Sequence, residues 1–91
     1  MNNHERFFKM IDQIPRIAHL WDREKREIKL DQFEYELGVM SSSEVHMAKF
    51  FAAVWFNNNN LYGFDLVSAA GDVDFAWLKI ITDWTINPFY P

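Results

Sequence analysis

The chain has 91 residues and a formal net charge of −4, with 49% hydrophobic and 18% aromatic residues and no cysteine. This length fits one domain. The absence of Cys excludes disulfides, thiolate metal ligands and a Cys nucleophile, and the acidic balance argues against the phosphate neutralisation that nucleic-acid binding needs.

The first expected helix opens at Asn2 or Asn3, either of which can cap it. Phe7, Met10, Ile11, Ile14, Ile17, Ala18 and Trp21 keep helical spacing up to and past Pro15. Proline removes a backbone donor and crowds the preceding turn, and the residue before it avoids the helical region. A break near Ile14 is therefore expected, with Pro15 opening a second helix; one helix kinked at Pro15 is the alternative.

Residues 22–29, DREKREIK, alternate in sign. They read as a solvated helix end or loop, not a phosphate-binding patch. Asp31 is expected to cap a short helix through Leu37, with Phe33 and Leu37 inward and Gly38 as the stop.

Ser41 to Asn57, SSSEVHMAKFFAAVWFN, is the central segment. Ser41 and Glu44 have the spacing of a capping box. Met47, Phe50, Phe51, Val54 and Trp55 then line one helical face, and Val45, Ala48, Ala52 and Phe56 add a second. A helix this apolar is covered on several sides. His46, Lys49 and Asn57 form its narrow polar stripe with Ala53.

Asn57–Asn60 is a loop signal, with Gly63 in the same turn. Asp65 is expected to start a short helix, Leu66 to Ala70, closed by Gly71. Asp72 is expected to cap the last helix, where Val73, Trp77, Ile80, Ile81 and Trp84 share one face, broadened by Phe75 and Leu78. Pro88 ends it, and the tail NPFYP is aromatic. These elements predict a single all-α domain over residues 1–91, five or six short helices around a buried helix at about 42–57.

Chemistry-bearing patterns are sparse. A paired calcium-loop reading would place Ile28 and Phe64 at the central hydrophobic position of each loop. It fails on its ligands: Trp21, Arg23 and Lys25 stand where oxygen donors belong, Arg26 replaces the glycine, and Gln32 the final glutamate. His4, His19 and His46 have no second metal ligand at a recognised spacing. Asp72 and Asp74 read as helix-start residues. Serines 41–43 lack a nucleophile-elbow context, and no glycine-rich phosphate loop is present. No catalysis, metal or cofactor is expected.

Charge divides the chain. Residues 1–40 hold seven Lys/Arg and eight Asp/Glu; residues 41–91 hold only Lys49 and Lys79 against five acids. The C-terminal half is thus acidic and aromatic, and a partner meeting it needs a basic or apolar surface. Sixteen aromatic side chains (nine Phe, four Trp, three Tyr) are many for one small core. Tyr62, Phe64, Phe89 and Tyr90 are therefore candidate partner-binding residues, together with His46 and Lys49; a tail folded back onto the domain is the alternative.

The expected function is a small protein–protein interaction module that binds another protein or itself. A homo-oligomeric structural protein and an inhibitor of a larger basic protein are the alternatives. No nucleic acid or membrane partner is expected, since the longest apolar run, Phe50 to Phe56, is far below the ~20 residues that span a bilayer. The polar start MNNHERFFKM lacks a signal-peptide core, and with the lack of Cys this points to the cytoplasm.

Overall fold

A computed structural model describes residues 1–91 as six helices and one two-stranded hairpin. In chain order these are α1 (Asn3–Ile11), α2 (Pro15–Ala18), β1 (Trp21–Asp22), β2 (Glu27–Ile28), α3 (Leu30–Leu37), α4 (Ser42–Phe56), α5 (Leu66–Asp72) and α6 (Phe75–Ile86). No helix is long and apolar enough to cross a membrane.

Helix α1 is capped by Asn2, whose side chain accepts from the Glu5 N–H. The chain breaks at Ile14, which is non-helical at φ −127° and ψ 83°, and Pro15 takes the first position of α2. A missing N–H costs nothing there, because the first turn leaves that donor unpaired anyway.

The charged segment after α2 corrects the expectation of a solvated helix end or plain loop. It folds into an antiparallel hairpin with Trp21 opposite Ile28 and Asp22 opposite Glu27. The Asp22 carboxylate accepts from the N–H groups of Glu24 and Lys25, closing the turn, and Arg26 takes a left-handed φ of 54°. Because Trp21 and Ile28 pair with each other, this segment is not one of two loops joined through their central residues.

Helix α3 starts two residues early. Lys29, not Asp31, occupies its cap position, with no side-chain cap bond. Asp31 sits inside the first turn, where a carboxylate still favours the positive helix pole. Gly38 ends α3 with φ −82°, so the stop does not exploit glycine's left-handed freedom.

Helix α4 follows its sequence pattern closely. The Ser41 hydroxyl accepts from the Glu44 N–H, and the Glu44 carboxylate accepts from the Ser41 N–H. Asn57 ends the helix at φ 51°, a conformation asparagine tolerates better than most residues. Met47, Ala48, Phe50, Phe51, Ala52 and Val54 are buried.

Asp65 caps α5, but that helix runs through Gly71 to Asp72. The cap of α6 is therefore Asp74, whose carboxylate accepts from the Trp77 N–H, and not Asp72. Spacing alone puts Phe75 roughly 120–140° around the helix from Ile80 and Ile81. Phe75, expected on the core side, is 81% exposed, while Ile80 and Ile81 are buried.

The core holds nineteen buried side chains, all apolar, and fifteen of them lie between Phe7 and Val54. Phe7 packs on Trp21, Phe51 and Trp55 with ring centroids 5.0–6.4 Å apart. Such offset and edge-on aromatic pairs add to simple area burial. Burying a Phe of this kind stabilises the fold by about 1.5–3 kcal/mol.

Candidate functional site

The residues singled out from sequence fall at different places. Tyr62 is half-buried against Phe33 at 5.0 Å, and its hydroxyl donates to the Glu34 carboxylate at 2.8 Å. Burial, reinforced by that carboxylate, pushes the phenol up to about 12. Tyr62 therefore ties the loop after α4 to α3.

His46 is also engaged within the chain. Its Nε2 lies 3.3 Å from the Asp72 carboxylate, which also accepts from the Ser42 hydroxyl. The Ser43 hydroxyl donates to the Asp72 carbonyl at 3.2 Å. These contacts fasten the first turns of α4 to the end of α5. The Ser42 hydroxyl thus meets the carboxylate and not the imidazole. Lys49 is partly covered and joins no ion pair.

The tail folds back onto α1 and α6. The Trp84 indole N–H donates to the Phe89 carbonyl at 2.9 Å, Arg6 donates to the Asn87 carbonyl at 3.1 Å, and the Asn3 amide donates to the Tyr90 carbonyl at 3.2 Å. The Arg6 guanidinium also lies over the Phe89 ring, 4.2 Å from its centroid. Phe89 is half-buried by this packing, whereas Tyr90 stays 49% exposed.

Two candidates, Phe64 and Tyr90, meet at one cleft of about 390 Å³. Its floor is an aromatic row: Phe64 to Phe50 at 5.5 Å, Phe50 to Trp84 at 5.7 Å, and Trp84 to Tyr90 at 5.6 Å. Asn57, Asn58 and Asn59 line the side formed by the end of α4, and Asp65 and Leu66 the side formed by the start of α5. No Lys or Arg lines it. The Asp65 carboxyl is held below its ordinary range, first by the Ser68 hydroxyl and then by backbone N–H groups of Ser68 and Val67. It is thus ionised at neutral pH.

Asp65 and Leu66 read only as a helix start in the sequence, and Phe50 and Trp84 only as core. One sequence signal bears on them together. Neither α4 nor α6 carries a basic residue in its last turn, although cations are favoured at that pole.

A second cleft, lined by Arg6, Lys9, Met10 and Trp84, lies between α1 and α6, and a third near the hairpin carries charges of both signs. No group of three or more His, Asp or Glu side chains is arranged to hold a metal ion. Comparison with family models, with curated proteins and with solved structures finds no match for this chain.

Proposed function

We propose that this protein is a cytoplasmic protein–protein interaction module without catalysis of its own, and that it meets its partner with its acidic, aromatic C-terminal half, residues 41–91. The observation that carries this reading is the aromatic cleft between the Asn57–Phe64 loop and the tail. Leu66 and Tyr90 on its walls are about half exposed, at 51% and 49%. Aromatic residues in a surface depleted of basic charge are typical of interface centres.

Affinity capture tests it, using the wild type, a Leu66→Ser/Tyr90→Ser variant and a Lys25→Ser control in the hairpin. Loss of the captured protein with the double variant alone supports the reading. Equal recovery by all three removes this surface from the contact.

A second reading, self-association, is favoured by the outer face of α6. Phe75 and Ile86 are 81% and 82% exposed. Eleven residues apart at 3.6 per turn, they lie within roughly 20° of each other around the helix. Lys79 and Asp83 form an ion pair between them at 2.8 Å. Two copies packed antiparallel would set Phe75 of each against Ile86 of the other and interleave the two ion pairs, a self-complementary arrangement. Light scattering tests this: a doubled mass abolished by Phe75→Lys supports it, and a monomer at the highest soluble concentration sinks it.

A further inference from the structure

The aromatic cleft has a counterpart on the other side of Trp84. There Arg6 lies over the Phe89 ring and donates to the Asn87 carbonyl at the end of α6. The guanidinium thus meets an aromatic ring and the negative pole of a helix together. Both contacts favour a cation.

The cleft offers the same two elements without the cation. Its floor is the row Phe64, Phe50, Trp84 and Tyr90, and one wall is the last turn of α4, ending at Asn57. No basic residue of the chain compensates that pole from the last turn or from the cleft lining. The ionised Asp65 carboxylate adds a third attraction for positive charge.

We propose that the cleft receives an arginine side chain of the partner protein. The planar guanidinium stacks on aromatic rings and pairs with a carboxylate, where an ammonium is a strongly hydrated point charge. Charge complementarity carries the choice, since an acidic group would face Asp65 and the α4 pole. This rests on the interaction reading above and names the chemistry of its partner.

The experiment is a chemical-shift titration of the full chain with N-acetylarginine methylamide, against its neutral citrulline counterpart. The Trp84 indole and Tyr90 ring resonances should move saturably with the arginine compound. The citrulline compound should bind about five- to thirtyfold more weakly, the ratio expected for one to two kcal/mol of cation–π attraction. Asp65→Asn should weaken arginine binding about fivefold, and because Asn caps helices as well as Asp, the fold is retained. Tyr90→Ala is the independent second variant.

Equal binding of both compounds overturns the arginine assignment. So does an Asp65→Asn variant of unchanged affinity, or a titration that leaves Trp84 unmoved. The interaction reading falls separately, with the capture experiment, so the two failures are distinguishable.

Discussion

Helices α4 and α6 are of similar apolar character as sequences, and the fold treats them differently. Helix α4 buries six of its fifteen residues, spread over roughly 200° of its circumference. Helix α6, FAWLKIITDWTI, buries only Ile80 and Ile81 and leaves Phe75 and Ile86 almost fully in solvent. The difference is one of neighbours. Helix α4 is packed by α1, Trp21 and the aromatic residues after it, through contacts such as Phe7–Phe51 and Phe50–Phe64. Helix α6 lies on one side of a core filled mainly by residues between Phe7 and Val54. Apolar composition therefore marks the centre of this molecule in one helix and its outer face in the other.

The sharpest test of that contrast is a pair of equivalent truncations. Phe51→Ala should cost roughly 3–5 kcal/mol, visible as a large fall in the denaturant midpoint at constant slope. Phe75→Ala removes the same atoms from an exposed site and should stay within about 0.5 kcal/mol of wild type. Equal losses would erase the distinction between the helices.

The caps should give an intermediate effect. Ser41→Ala and Asp74→Ala each remove a side-chain acceptor at a helix start and should cost about 0.5–2 kcal/mol by the same measurement. An unchanged midpoint for Asp74→Ala would contradict Asp74 as the cap of α6.

The capping box also has a pH signature. The Ser41 N–H, and then its hydroxyl, hold the Glu44 carboxyl below its ordinary range. Its folded pKa is depressed, so this stabilisation is fully present above the unfolded carboxylate range and is lost as pH falls through the folded value. Glu44→Gln should flatten the acid limb of the stability curve, and leave its slope unchanged near neutrality. Asp22 and Asp65 are shifted the same way, so part of the limb should persist; a variant with the full wild-type slope would remove Glu44 from the account.

The smallest effect concerns Tyr62. Its phenol is raised to about 12, so its contribution is complete below the ordinary tyrosine range and is lost as pH rises through the folded value. Tyrosinate absorbance should show a late component that Tyr62→Phe abolishes. Without one, the loop after α4 is not held against α3 as described.

Local signals carried far in this chain. Asn2, Ser41 and Asp65 cap the helices that their spacing indicates, Pro15 opens α2, and the apolar repeat from Met47 to Val54 marks the buried helix, because caps and periodicity depend on a few neighbouring residues. Three features lay outside that reach. Two-residue strands are too short to display alternation, and Arg26 supplies none of the glycine or asparagine signal expected of a tight turn, so the hairpin was hidden among solvated charges. The start of α6 hinged on whether Asp72 or Asp74 capped it. Both are competent caps, and the choice fell to Asp72's contacts with Ser42 and His46, thirty and twenty-six residues away in sequence. The cleft itself joins residues 50–66 to Trp84 and Tyr90. Its parts are visible one by one as core or cap, but their convergence depends on the tail folding back through Arg6 and Trp84. Sequence by itself determined where the helices form and which one is central, because those are short-range matters of hydrogen bonding and pattern. Only the tertiary structure decided which apolar residues remain outside, because burial depends on which surfaces the other elements of the fold cover.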